Sequence, residues 1–329
     1  MHVFIAGAAG AVGRTLIPTL LAEGHTVTGT TRTGARAETL RALGARVVLM
    51  DGLDRDSVLD AVTAAEPDAI VHQMTALSGD LDLRSPDKTF AVTNRLRTEG
   101  TEHLLAAAEA AGVGRFVAQS YAGWPHARTG GPVKTEADPL DPDPPRGLRE
   151  THAAIRRLET LVTGAGGVIL RYGGFYGPGT GLAPGGDQLE AIRARKFPLI
   201  GDGGGYWSFA HTGDVATATV AAVERGHEGE IYNVCDDEPA QVREWLPLLA
   251  RSIGARPPRR VPAWLARLVT TPGTVALMTE ARGASNAKIK AELDWTPAWP
   301  TWREGFAALT AAAPTRPRSR EGGSAAPSR

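Results

Sequence analysis

Along the first 120 residues, short apolar runs alternate with stretches in which apolar positions recur every three or four residues. "HVFIAGA", "HTVTGTTR", "ARVVLMD", "DAIVHQ" and "GRFVAQS" have strand length. Residues 12–23 instead put Val12, Leu16 and Leu20 on one helical face, and "HLLAAAEAAG" reads as a helix closed by Gly112. Strand and helix in alternation predict a doubly wound α/β fold, a parallel sheet with helices on both faces. After Gly177 the pattern loosens. "GPGTGLAPGG" predicts a loop and "DQLEAIRARK" a helix, while "GDVATATVAAVERG" and "GEIYNVC" predict a helix and strand returning to the sheet. The expected organisation is a sheet domain over 1–176 with 208–235 rejoining it, and a smaller, mostly helical lobe from 177–207 and 236–309. Residues 310–329 lack apolar periodicity and predict a disordered tail.

Composition narrows the function classes. A chain of 329 residues, 42% hydrophobic, can bury a large core and an attached lobe. Its 36 basic and 36 acidic residues balance, which argues against a nucleic-acid or membrane-surface partner. The longest apolar runs are strand-sized and no basic leader precedes the first strand, so a soluble, cytoplasmic protein acting on a small molecule is expected. Cys235 is the sole cysteine and excludes an intrachain disulfide; its setting in "EIYNVC" predicts strand packing. The eight histidines show no ligand-like spacing, so no metal site is predicted.

"FIAGAAGAVGR" sets Gly7, Gly10 and Gly13 three residues apart, after the first strand and at the mouth of the first helix. Glycine there permits the tight turn, close approach of backbone amides to a pyrophosphate and close helix–strand packing. The sheet domain is therefore expected to be a Rossmann-type NAD(P)-binding domain. After the second strand, "GTTRTGAR" offers Thr31, Arg32 and Arg36 but no carboxylate for ribose hydroxyls. Arginines there can clamp a 2′-phosphate, which favours NADP(H) and leaves NAD(H) open; a solvated surface role is the plain alternative. Asp51, in "LMDGLD", is placed either to accept from the adenine amino group or to form a turn.

Taken together, "GAAGAVG", "DGLD", "IVHQMTA", "TEGTEHLLAAAEAAGVGRFVAQS", "LRYGGFYGPG", "HTGDVA", "EIYNV" and "AELDWTPAWPTWREGF" resemble the short-chain dehydrogenase/reductase superfamily, in its extended epimerase/dehydratase-like branch. The resemblance runs to about residue 309. It implies a cofactor in the N-terminal domain, substrate in the cleft under the C-terminal lobe, and commonly a homodimer. It further implies that Met74 and Thr75 line the cofactor ribose and that Gly174 and Phe175 lie by the nicotinamide.

Active members of that superfamily carry a Ser or Thr at the end of the fifth strand and a Tyr-x-x-x-Lys pair on the next helix, the lysine lowering the tyrosine pKa. Ser120 fits the first role. Aligning the helix on Glu159 and Leu161 puts Thr151 at the tyrosine position and Ile155 at the lysine position, and no other tyrosine has a lysine four residues on. The usual acid is missing. Candidate substitutes are Tyr121, beside Ser120 but expected on the opposite face of the strand; His152, adjacent to the lost tyrosine; and His126 in the next loop. Tyr176 is expected at the cleft entrance, touching substrate or serving structure. The Pro- and Gly-rich loop "WPHARTGGPVKTEADPLDPDPP" suits a lid, and Trp207, where the family often has a basic residue, weakens a nucleotide-sugar reading. Three functions follow: an NADP(H)-dependent oxidoreductase acting on a carbonyl or imine, with catalytic residues Ser120, Tyr121 and His152; a non-catalytic NADP(H)-binding sensor or scaffold; or a redox-neutral epimerase or isomerase.

Overall fold

A computed structural model describes residues 1–77 and 86–311. Seven strands form its central sheet: β1 (His2–Ala6), β2 (Thr26–Thr31), β3 (Arg46–Leu49), β4 (Ala69–His72), β5 (Arg115–Tyr121), β6 (Val168–Tyr172) and β7 (Ile231–Val234). All neighbours are parallel, and the order is β7-β6-β5-β4-β1-β2-β3. The reversal between β1 and β4 is the topological switch point at which doubly wound sheets open a crevice. The expected fold class is the one observed.

The two-residue period of the strands sorts their side chains between two cores. Val3 and Ile5 of β1 pack on the face covered by α1 (Ala11–Ala22) and the helix Thr212–Arg225, whereas Phe4 and Ala6 pack on the face of the helices Arg55–Ala65, Ala91–Ala110 and Arg149–Gly164. With both faces covered, strands such as β6 are buried along their whole length. Burial of Val12, Leu16, Ile17 and Leu20 anchors α1 as its periodicity predicts.

A second apolar cluster, containing Leu189, Leu199, Trp245, Leu249, Trp302 and Phe306, lies under the carboxyl end of the sheet. Its helices (Asp187–Arg193, Val242–Ser252, Pro272–Thr279 and Trp302–Ala311) are joined by two-residue strand pairs, so this part is less purely helical than its sequence suggests. Trp302–Ala311 carries helix into the first residues of the expected tail; the remainder of that tail lies outside the described residues. The long loop after β5 is stitched down. Val133–Lys134 pairs with Gly283–Ala284, and Glu136 Oε1 accepts from the Asn233 N–H at 2.6 Å. These bonds anchor one stretch of the segment expected to act as a lid. Cys235 is buried directly after β7, and no described helix is long and apolar enough to cross a membrane.

Candidate functional site

One cavity of about 700 Å³ caps the carboxyl ends of the central strands and continues beneath the second apolar cluster. Its glycine end is built by backbone. Gly7 has φ +91°, and a Cβ added to it would lie 2.7 Å from the Gln73 carbonyl at the end of β4. At Gly13 a Cβ would lie 2.3 Å from the Ala8 carbonyl oxygen, so only glycine lets α1 cross the turn this closely. Gly10 precedes α1 without a side-chain cap, and the first helical turn has no acidic residue. The leading N–H groups of α1 are therefore free of intrahelical partners at the positive end of its dipole, bordering the cavity; this suits a pyrophosphate.

Arg32 and Arg36, just past β2, line the same cavity, are exposed and form no ion pair among the described residues. Asp51 forms the expected turn, its Oδ1 accepting from the Leu53 N–H at 3.0 Å, and it borders the cavity. Met74 is buried against Gly52 and Leu96, Thr75 is exposed, and both are lining residues. Gly174 and Phe175 line the centre, Phe175 packing on Tyr172 with ring centroids 5.6 Å apart. These groups can hold a dinucleotide. Among the described residues no cluster of histidine, cysteine or carboxylate side chains could hold a metal.

At the reaction end, strand alternation decides which way the candidates point. Phe116 and Ala118 face the core beneath the helix Arg149–Gly164, and Ser120 follows them: its Oγ donates to Glu159 Oε1 at 2.7 Å. Glu159 is in turn gripped by Arg171, whose Nε and Nη2 donate to Oε1 and Oε2 at 2.8 and 2.7 Å. Ser120 borders the cavity, but its proton is directed at a buried carboxylate. Ser120, expected among the catalytic residues, therefore stands at the cavity with its hydroxyl engaged by Glu159. Thr151 is also engaged, donating to Asp87 Oδ1 at 2.9 Å and accepting from Asn94 Nδ2 at 3.2 Å, and Ile155 is fully buried.

Tyr121, on the other face of β5, is free. Its hydroxyl has no hydrogen-bond partner among the described residues and lies 3.8 Å from where a Cβ on Gly174 would be. Burial pushes that hydroxyl up to about 12, while the Arg97 guanidinium pulls the other way. Arg97, 7% exposed, also lines the cavity; among the described residues its one side-chain hydrogen bond goes to Asn94 Oδ1 at 3.3 Å. Both faces of β5 reach the cavity because it caps the strand end.

The histidines are elsewhere. His152 Nε2 donates to the Pro125 carbonyl at 2.6 Å, behind Trp124 and outside the cavity lining, and burial lowers its pKa. His126 accepts from Arg171 Nη1 at 3.1 Å and is held down to about 4, first by burial and then by Arg171. Neither is placed to give a proton to a ligand, which corrects the expectation for His152. Tyr176 is buried in the second apolar cluster against Phe306, and burial raises its pKa; its role is structural. Trp207 lines the cavity and donates through Nε1 to the Leu277 carbonyl at 2.8 Å.

Sequence reasoning missed Arg97, Arg171 and Arg282, and used Glu159 only as an alignment mark. For three of these a signal existed. Glu159 falls within the buried stripe Ile155, Leu158 and Val162; Arg171 sits in the apolar run "VILRY"; Arg97 shares the buried face of Leu96 and Leu104. A charge in such a place requires a partner or a task.

The family model that matches this chain, over residues 3–235, is that of the NAD dependent epimerase/dehydratase family. The chain is 46% identical over 309 residues to a 3-diazoavenalumate denitrifying reductase from a Streptomyces species, covering 93% of this chain and 99% of the relative. It is 30% identical over 268 residues to a 4-hydroxy-2-methyl-3-oxo-4-farnesyl-3,4-dihydroquinoline-1-oxide ketoreductase from Stigmatella aurantiaca, covering 78% and 74%. Among solved structures, UDP-glucose 4-epimerase from Thermotoga maritima superposes with a TM-score of 0.75 at 20% identity, over 94% of this chain and 98% of that one, which speaks to the fold alone. The chain belongs to the NAD-dependent epimerase/dehydratase family and is an NAD(P)-dependent oxidoreductase of the short-chain dehydrogenase/reductase type.

Proposed function

We propose that this protein is an NADPH-dependent reductase that delivers hydride to an electron-poor group on a small aromatic substrate. The observation that carries the reading is the continuity of one cavity, from the uncapped glycine turn past Tyr121 and Gly174 to walls formed by Trp124, Phe197, Trp207 and Phe209. In this reading Gly7, Gly10 and Gly13 cradle the pyrophosphate, and Arg32 and Arg36 clamp a 2′-phosphate. Asp51, Met74 and Thr75 border the adenosine half, and Gly174 and Phe175 the nicotinamide. Reduced nicotinamide, when bound, supplies the hydride.

The acceptor follows from the supply of protons. A carbonyl or imine needs one with the hydride; an aryl diazonium does not. Hydride adds to its terminal nitrogen to give the aryldiazene ArN=NH; the N–H proton is then lost to water, the carbon–nitrogen bond breaks with release of N₂, and the ring carbon takes a proton from water, so that ArN₂⁺ + H⁻ gives ArH + N₂ with no net proton consumed. Two observations support a diazo acceptor: Thr151 and Ile155 stand where the acid and its lysine would be, with the Thr151 proton already given to Asp87, and the similar Streptomyces reductase is named for a diazo compound. Carbonyl reduction is the second reading, supported by the free Tyr121 hydroxyl and by the similarity to a ketoreductase.

The test uses NADPH deuterated at C4 with an arenediazonium salt and, separately, an aryl ketone. With the diazonium salt, the expected result is one NADPH oxidised per N₂ and arene released, the label passing to water through the diazene N–H; with the ketone, transfer would leave deuterium on the carbinol carbon. Transfer to the ketone alone replaces the diazo reading with the second one. No transfer to either, with NADPH still bound tightly, refutes the reductase in favour of a non-catalytic binding protein.

A further inference from the structure

The lobe wall of the cavity holds a cation with no counter-charge. Arg282 lines this wall, half-buried, just before Gly283–Ala284. One of its Nη atoms donates to the Arg128 carbonyl, which fixes the guanidinium. The other Nη has no acceptor among the described residues and is the nitrogen a ligand can reach, since Nε is fully shielded. The carboxylates on either side are already used: Arg128 takes Asp141 at 2.9 Å through Nε and Glu280 at 2.6 Å through Nη1. Asp51, at the adenosine end, is the only acid among the described lining residues.

We infer that Arg282 is an anion anchor and that the substrate carries a carboxylate received at this lobe wall, with its aromatic body between Trp124 and Trp207. This rests on the reductase reading and adds the substrate's chemical class to it. Arginine is the suitable residue, because its fixed, always-charged fork matches a carboxylate and is weakly hydrated. Arg97 is the other cation on this half of the cavity, but it lies on the sheet side, where its charge acts on Tyr121. Two cations and no acid on the described walls around the substrate favour an anion over a neutral or cationic molecule of the same shape.

The test is binding, read by calorimetry on the NADP⁺-loaded full chain, with 4-hydroxycinnamate and its methyl ester as probes. The acid is expected to bind the unmodified protein about tenfold or more tightly than the ester, the scale of one charge-assisted contact. Arg282→Gln should abolish that preference and Arg282→Lys keep part of it, with NADP⁺ affinity unchanged in both. Equal binding of acid and ester by the unmodified protein, or binding of neither, overturns the anchor without reference to any variant. NADP⁺ is titrated first. Its failure to bind counts against the reductase reading, whereas intact NADP⁺ binding without an acid preference counts against the anchor alone.

Discussion

Replacing Glu159 by glutamine tests the buried network beneath the reaction end. The carboxylate accepts three short hydrogen bonds, from Ser120 Oγ and from Arg171 Nε and Nη2, and the two charged side chains are 7% and 4% exposed. Glutamine keeps the shape but has one acceptor oxygen, so in either orientation its NH₂ faces an N–H of Arg171. The Arg171 charge then lies buried without a counter-charge, its remaining partners being the glutamine oxygen and His126 Nε2. Removing one partner of a buried pair costs about 3–5 kcal/mol. In a cooperative unit of this size that corresponds to roughly 6–15 °C in Tm. Calorimetric melts at pH 7 measure it, and because the pair is shielded the deficit should persist in high salt. Replacing both partners, Glu159→Leu with Arg171→Met, should recover most of the loss, since no unpaired charge remains. A Glu159→Gln protein within about 1 kcal/mol of the parent would refute the reasoning, because a hydrogen bond to a charged group alone is worth about 1.5–3 kcal/mol.

Tyr121→Phe separates the two acceptor chemistries: carbonyl reduction should fall about 10²-fold or more, the scale of a general acid, while diazo reduction stays within about tenfold; equal losses on both would remove Tyr121 as a proton donor. Ser120→Ala, in contrast, should lower Tm and leave turnover within about tenfold, because its proton serves Glu159; a loss of about 10²-fold or more, as expected for an oxyanion donor, would contradict that placement. Titration with both cofactors should show NADPH favoured over NADH by about 1–3 kcal/mol, and Arg32→Ala should narrow the gap; equal affinities in the parent would count against the 2′-phosphate clamp. Asp236 is buried, and burial raises its pKa to about 8, so its carboxyl is protonated at neutrality. A raised native pKa contributes stability that is complete below the ordinary carboxylate range and is lost as pH climbs through 8. Asp236→Asn should therefore flatten the fall in Tm between about pH 4 and 8, and an unchanged slope would exclude Asp236 as its source.

Residues near in sequence were enough to read the fold class. The period of the apolar positions gave the strands and helices, and glycine spacing marked the turn at Gly7, Gly10 and Gly13, because backbone conformation and face alternation are local properties. The absence of a tyrosine–lysine pair at Thr151 and Ile155 was legible for the same reason, since both positions lie on one helix.

Only the tertiary structure decided what Ser120, His152 and the arginines do. The alternation of β5 told that Ser120 and Tyr121 point apart, but not that Glu159, 39 residues on, waits on the serine's side. His152 has a suitable intrinsic pKa, yet the loop that brings the Pro125 carbonyl to it takes its proton and hides it behind Trp124. Arg282 carried no signal at all. Its role depends on Arg128 engaging Asp141 and Glu280, contacts made by residues 13 and 152 positions apart. Charge pairing in a buried site is settled by which groups the packed core brings within about 3 Å, a through-space distance that local sequence patterns do not encode.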